Sequence, residues 1–310
     1  MTRPIILQLS PMSAELEAAL EARGERVRVD PDPDRLAANA DRVRIIVTGG
    51  QTGAPHALIE ALPNLGLIAI NGVGYDKVDI AHAAANGVTV TNTPGVLTDD
   101  VADLAIGLVI GLLRELPRAD AHVRSGAWAK GDLPLARKVT GRRFGIVGLG
   151  RIGSAIADRL GAFGPVAYTG RSRKPVDLPF HPDAASLAAA SDVLIVAAAA
   201  SAETRHLIDA RVLEALGPGG VLVNVARGSV VDENALVAAI EGGQIAGAAL
   251  DVFADEPQVP PALIDSDRTM LTPHIASATV ETRAAMAALV LDNIDAFLAG
   301  RPLPTPIPPP

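Results

Sequence analysis

The sequence predicts an α/β protein of two domains, each built on a doubly wound parallel sheet. Short β-branched runs alternate with longer Ala/Leu-rich helical stretches, and they do so in two separate series. The second series opens on a strand, a glycine-rich turn and a helix, in that order. With 310 residues, and roughly 100 to 200 residues per domain as the usual size, the chain has room for two cores.

Residues 4–9, 43–47, 67–70 and 88–91 read as the buried strands of the first series. Residues 98–118 read as a helix capped by Thr98 or Asp99, with Val101, Leu104, Ala105, Leu108, Ile110, Leu112 and Leu113 leaving it apolar on most sides. Such a helix should lie between layers, as the entry into the second domain and as a subunit or domain contact. Residues 118–140 read as a loop, because Gly126, Gly131 and Pro134 interrupt any regular element; the loop carries the single tryptophan, Trp128. Strands are expected at 143–147, 166–169, 193–197, 221–225 and 246–250, and at Met270 and Leu271. A last helix, 280–299, returns to the first domain, and 301–310 is a proline-rich tail that cannot be helical.

The net charge of −8 repels phosphate backbones and anionic head groups, so neither nucleic acid nor a membrane surface is an expected partner. The absence of cysteine excludes disulfides, thiolate metal ligation and thiol catalysis, and fits a reducing cytoplasm. Residues 1–10 lack an export pattern, and the longest stretch free of Asp, Glu, Lys and Arg, 80–98, is broken by His82, Asn86, Gly87, Asn92 and Pro94. A cytoplasmic protein without a resident metal is expected.

The segment Gly148-Leu149-Gly150-Arg151-Ile152-Gly153 follows an apolar strand and opens a helix. Gly148 permits the tight turn, Gly150 removes the side chain where a pyrophosphate must approach, and Gly153 lets helix and strand pack closely. About twenty residues on, where an NAD site should carry Asp or Glu, the chain has Gly170 followed by Arg171-Ser172-Arg173-Lys174. Three cations and a hydroxyl suit a 2′-phosphate, so NADPH is expected to be preferred and NADH to bind more weakly. Reading these residues as only a solvated basic turn requires the missing carboxylate and the added cations to coincide.

Arg227, Glu256 and His274 each follow a different predicted strand of the second series. The carboxyl ends of parallel strands line the ligand crevice, so the three can converge on one molecule. His56, His82, His122, His181 and His206 have no such company and read as structural or surface residues.

These segments, with Asn224-Val225-Ala226-Arg227-Gly228, Asp251-Val252-Phe253 through Glu256-Pro257, and Thr272-Pro273-His274, resemble the D-isomer-specific 2-hydroxyacid dehydrogenases over essentially the whole chain. Residues 92–105 further resemble the branch of glyoxylate/hydroxypyruvate and hydroxyphenylpyruvate reductases. The resemblance implies a Rossmann cofactor domain at 99–284, inserted in a flavodoxin-like substrate domain at 1–98 and 285–310, with a cleft between them and a homodimeric assembly. It implies that hydride passes to the carbonyl carbon of a 2-keto acid, with Arg227 bridging the substrate carboxylate and keto oxygen. His274 donates the proton, and Glu256 orients it and favours its charged form. The loop Asn71-Gly72-Val73-Gly74-Tyr75-Asp76 matches the family's substrate loop, which assigns the amides of Val73 and Gly74 to the substrate carboxylate. Asp251 resembles the residue that contacts the nicotinamide carboxamide, or it is a strand-end cap. Thr204, Val225, Ala226 and Ser277 fall at further cofactor positions. Trp128 either crosses a dimer into the neighbour's substrate site or is an interface or core residue. Where many relatives carry Cys-Pro-Leu this chain has Ala198-Ala199-Ala200, which alters the cofactor wall.

Glu256 favours keto-acid chemistry over formate oxidation, where Gln is expected, and the short segment after Ala299 leaves no room for a regulatory domain. The expected activity is NADPH-dependent reduction of glyoxylate or hydroxypyruvate to the D-2-hydroxy acid. An aryl-pyruvate reductase and a non-catalytic, nucleotide-sensing binding platform are the alternatives.

Overall fold

The computed structural model describes residues 3–28 and 39–309; Met1, Thr2 and Pro310, at the ends of the N-terminal and tail segments discussed above, lie outside the described residues. The chain divides into two compact units, Met1–Leu97 with Thr279–Pro310, and Thr98–Ala278.

The first unit carries β1 (Ile5–Gln8), β2 (Glu25–Arg28), β3 (Val43–Gly49), β4 (Leu67–Asn71) and β5 (Thr89–Thr91), all parallel, in the order β2-β1-β3-β4-β5. This is the flavodoxin-like order, in which the chain winds outward to both sides of its first strand. Alternation along the strands feeds two layers. Ile5, Leu7, Ile46, Ile68 and Ile70 join one core with Ile59 and Ala83, whereas Ile6, Ile45, Val47, Leu67 and Ala69 join another with Leu16, Leu20, Val290 and Ile294. The helix Val280–Leu298 thus packs on the first sheet, its start capped by the Thr279 side chain.

The second unit carries β6 (Phe144–Val147), β7 (Val166–Thr169), β8 (Val193–Val196), β9 (Val221–Asn224), β10 (Gly247–Leu250) and β11 (Thr269–Leu271), again all parallel, in the order β11-β10-β9-β8-β6-β7. From β6 the chain runs out to β7 and returns to β8 on the other side, so the strand order reverses between β6 and β8. A ligand crevice is expected at that reversal, outside the carboxyl ends of the strands.

Three local readings of the sequence are corrected. Strand β2 was not expected, because Glu25-Arg26-Val27-Arg28 has one apolar residue; it forms as an edge strand, with Arg26 bonded to Glu21 and Gln8. The helix beginning at Thr98 stops at Leu113 rather than at 118, where Glu115 turns into the left-handed region at φ 53°. A second helix, Leu116–Arg124, and a 3-10 turn, Ala127–Lys130, then occupy part of the expected loop, with Pro117 in the first helical turn, where its missing N–H costs nothing. The helix Thr98–Leu113 buries Val101, Ala102, Ala105, Leu108, Val109 and Leu113, while Leu104, Ile106, Ile110 and Leu112 stay half-buried. Gly111 allows the close approach, since a Cβ there would lie 2.6 Å from Met270 Sδ. Among the described residues no helix is long and apolar enough to cross a membrane.

Candidate active site

The carboxyl ends of the second sheet bring the glycine loop, the Arg171 turn, Arg227, Glu256 and His274 to one edge. After β6, Gly148 takes φ 96° and a Cβ on it would lie 2.6 Å from Ala198 Cα, so the turn rests directly on the chain leaving β8. A Cβ on Gly153 would meet the Gly148 carbonyl at 2.0 Å, which is why strand and helix can close so tightly there. Gly150 differs: a Cβ on it would meet nothing within 4 Å. The open space lies at the N-terminus of the helix Arg151–Leu160, where unpaired N–H groups and the helix dipole favour a phosphate. The residues present therefore fit a dinucleotide pyrophosphate. Leu149 is buried, and Arg151 is exposed on the first helical turn, with Ile152 half-buried beside it.

The basic turn starts next to this loop. Gly148 N–H donates to Thr169 O at 2.9 Å, and the exposed Arg171, Ser172, Arg173 and Lys174 follow after Gly170. The turn closes on the buried Tyr168, whose hydroxyl accepts the Lys174 N–H at 2.6 Å. Tyr168 was not singled out from the sequence, where it is one more aromatic in a strand.

Arg227 leaves β9 in a tight turn. Asn224 holds that turn, its Nδ2 donating to the Arg227 carbonyl at 3.0 Å and its Oδ1 accepting the Ala226 N–H at 3.0 Å. Arg227 Nη1 donates to Ala226 O at 2.8 Å. A Cβ on Gly228 would lie 1.9 Å from the Phe253 carbonyl carbon, so the Arg227 turn packs against the turn after β10 that carries Glu256. Val225 is buried and Ala226 half-buried in the same turn.

Glu256 and His274 meet directly. Glu256 Oε2 lies 2.8 Å from His274 Nδ1, and its Oε1 accepts the Phe253 N–H at 3.0 Å. A carboxylate only accepts, so Nδ1 carries the hydrogen and Nε2 is left to exchange a proton with a substrate. Burial pushes the Glu256 carboxyl upward, but the bonds from His274 and Phe253 and the charges of His274 and Arg227 outweigh it, holding it below the ordinary carboxylate range. A carboxyl lowered in this way stabilises the fold fully above its unfolded pKa and loses that contribution as pH falls through the folded value. The gap in melting temperature between the native chain and Glu256→Gln is therefore expected to be full at pH 7 and to narrow below about pH 4. A gap independent of pH would contradict the charged pairing.

His274 sits at φ 53°, a left-handed conformation costly for a residue with a Cβ. Asp251 holds it there. The Asp251 carboxylate accepts from Thr272 Oγ1 at 2.6 Å, Ile275 N–H at 2.8 Å and Ala276 N–H at 3.0 Å, on both sides of His274. Asp251 is 0% exposed. These three bonds match the strand-end cap expected as one reading of Asp251, and a carboxylate with about four acceptor sites keeps room for a further donor. The Thr204 side chain is also bonded within the protein. Its hydroxyl accepts the Ser201 N–H and donates to Ala199 O, both at 2.8 Å, closing the loop after β8 on itself. Ser277 is half-buried just beyond this loop of His274, and Trp128 is 62% exposed with Nε1 3.3 Å from Asp132 Oδ1. Val73 and Gly74 lie in the first unit, half-buried in the loop that leaves β4.

Residues 106–276 match the model of the D-isomer specific 2-hydroxyacid dehydrogenase NAD binding domain. The chain belongs to the D-isomer specific 2-hydroxyacid dehydrogenase family. As a member it is an NAD(P)-dependent oxidoreductase. It is 47% identical to a hydroxyphenylpyruvate reductase of Plectranthus scutellarioides, over 97% of this chain and 98% of that one. It is 45% identical to a glyoxylate/hydroxypyruvate reductase of Arabidopsis thaliana, with the same coverage. Among solved structures, an NADPH-dependent glyoxylate/hydroxypyruvate reductase from Sinorhizobium meliloti in complex with NADP and malonate superposes with a TM-score of 0.94 at 45% identity, covering 99% of this chain and 97% of that one.

Proposed function

We propose that this dehydrogenase is an NADPH-preferring reductase of glyoxylate, hydroxypyruvate or a closely related 2-keto acid, giving the D-2-hydroxy acid. The Glu256–His274 pair at 2.8 Å, beside the turn of Arg227, carries the reading. Reduction of a ketone needs one cation for the developing oxyanion and one proton donor held in a fixed tautomer, and these three residues supply both. When bound, the nicotinamide cofactor supplies the hydride. Arg227 binds the keto oxygen and carboxylate, His274 delivers the proton from Nε2, and Glu256 keeps the ring oriented. Val73 and Gly74 donate their amides to the substrate carboxylate. In this reading 1–98 with 285–310 is the substrate domain and 99–284 the cofactor domain.

The names of the relatives support the substrate class, and the Arg171 turn supports the 2′-phosphate. Val225, Ala226 and Ser277 complete the cofactor wall. Asp251 and Thr204 belong to the same cofactor wall, and their side chains also fix the loops there. The reading includes a cytoplasmic homodimer, in which the exposed Trp128 reaches the neighbouring subunit. Aryl-pyruvate reduction is the second reading, favoured by the 47% identity to the hydroxyphenylpyruvate reductase.

Parallel steady-state rates with NADPH and NADH against glyoxylate, hydroxypyruvate and phenylpyruvate test both. Highest kcat/KM with NADPH and glyoxylate or hydroxypyruvate supports the first, a lead for phenylpyruvate the second. No turnover with any pair overturns both and favours a non-catalytic nucleotide-binding platform. In the same assay Arg171→Ala is expected to weaken NADPH selectively, by about tenfold for one lost charge-assisted contact. Equal weakening of NADH would remove Arg171 from the 2′-phosphate.

A further inference from the structure

Two peptide units in the loop after β4 are fixed from behind. Gly72 C=O and Val73 N–H share one rigid plane, and Val73 C=O and Gly74 N–H share the next. Thr93 N–H donates to the Gly72 carbonyl at 2.9 Å, and Asn92 Nδ2 donates to the Val73 carbonyl at 2.8 Å. Both peptides are trans, so each N–H points opposite to its carbonyl. The two bonds thereby aim the Val73 and Gly74 N–H groups away from residues 92 and 93.

Asn92 is held in turn by the C-terminal segment. Thr305 Oγ1 donates to the Asn92 carbonyl at 2.6 Å and accepts from Asn293 Nδ2 at 2.9 Å, while Thr305 N–H donates to Asn293 Oδ1 at 3.2 Å. Asn293 is 1% exposed and rooted on the helix Val280–Leu298 by a 2.7 Å bond to the Leu289 carbonyl. Ile307 N–H adds a bond to Val90 O at 2.8 Å, and Leu303 and Ile307 pack against the two cores of the first sheet. Pro302, Pro304 and Pro306 stiffen the segment between these anchors, so little conformational entropy is lost when it docks.

We infer that Asn92 and Thr305 are positioning residues for the substrate-carboxylate donors, and that the proline-rich C-terminal segment works as a brace for substrate binding. The inference rests on the reading of Val73 and Gly74 as those donors. An anion held by two N–H groups is sensitive to their direction, because hydrogen bonds weaken steeply as the donor angle closes toward about 120°. A segment that served stability alone would lower the melting temperature without touching substrate affinity.

The test uses the full chain with NADPH bound and malonate as a non-reacting carboxylate probe. Hydrogen-exchange protection of the Val73 and Gly74 amides on adding malonate is measured first. Malonate Kd, keto-acid KM and kcat are then measured for Asn92→Ala, Thr305→Val and Thr305→Ser. Protection is expected in the native chain. Asn92→Ala should raise malonate Kd and keto-acid KM by about tenfold, the size of one weakened hydrogen bond to a charged group, with NADPH affinity and saturating kcat unchanged. Thr305→Val should raise both by about threefold, and Thr305→Ser, which keeps the hydroxyl, should restore them. If the amides are protected and both Asn92→Ala and Thr305→Val bind malonate as the native chain does, the brace is overturned and the donor reading stands. Absence of protection in the native chain sinks the donor reading and the inference with it. Should Asn92→Ala fail to fold, the Thr305 pair decides: a rise with Val that Ser reverses supports the brace, and no rise with Val overturns it.

Discussion

Replacing His274 by Asn is expected to lower kcat for keto-acid reduction by roughly 10²- to 10⁴-fold, the usual worth of a positioned general acid. Asn is the informative substitution because the backbone at this position is left-handed, φ 53°, and Asn tolerates that region better than most residues with a Cβ. Its side chain can also still donate to Glu256. The variant therefore keeps the turn and removes the titrating ring. NADPH affinity should remain close to native, since the glycine loop and the Arg171 turn lie after other strands. Steady-state kcat and a fluorescence titration of NADPH on the same preparation separate the two effects. Unchanged kcat would remove His274 as proton donor; an equal loss of NADPH affinity would show that the turn had moved.

Much of this arrangement was legible in the residues alone, and the limits follow from physical causes. Parallel strands buried on both faces read as short apolar runs, so ten of the eleven strands among the described residues could be placed. Strand β2 escaped because it is an edge whose Arg26 finds partners from outside the strand. The glycine loop is legible because close approach leaves no substitute: a Cβ at Gly153 would overlap the Gly148 carbonyl. Arg227, Glu256 and His274 could be nominated because polar residues at parallel-strand ends collect at one edge. What holds them was legible only in part, in the reading of Asp251 as a strand-end cap. Asn224 and Asp251 are ordinary strand-end residues in one dimension, and only the fold shows that one locks the Arg227 turn and the other the turn of His274. Asp251 also shows why a carboxylate after a strand is ambiguous. It can face a ligand, satisfy a loop's amides, or do both, since a carboxylate offers about four acceptor sites. The helix Leu116–Arg124 was hidden for another reason, since a short, polar helix without a buried residue leaves no apolar stripe to detect.

The second large effect is expected at Arg227. Arg227→Ala should cut kcat/KM for the keto acid by about 10²- to 10⁴-fold, because two charge-assisted bonds at about 1.5 to 3 kcal/mol each are lost. Both parameters should suffer. The bond to the carboxylate exists in the bound substrate and its loss raises KM, whereas the bond to the keto oxygen strengthens as charge develops there and its loss lowers kcat. The fold should tolerate the change, since the Asn224 bonds to the Arg227 carbonyl and the Ala226 amide remain when the guanidinium and its bond to the Ala226 carbonyl are lost. Arg227→Lys should recover only part of the rate: it restores a charge, but a single ammonium cannot present the planar fork that spans two acceptors. Melting temperature and NADPH affinity, measured beside the kinetics, distinguish this role from a structural one. If Arg227→Ala changes cofactor affinity alone, or if Lys restores the full rate, the bridging role fails and the cation opposite the developing oxyanion must be sought elsewhere.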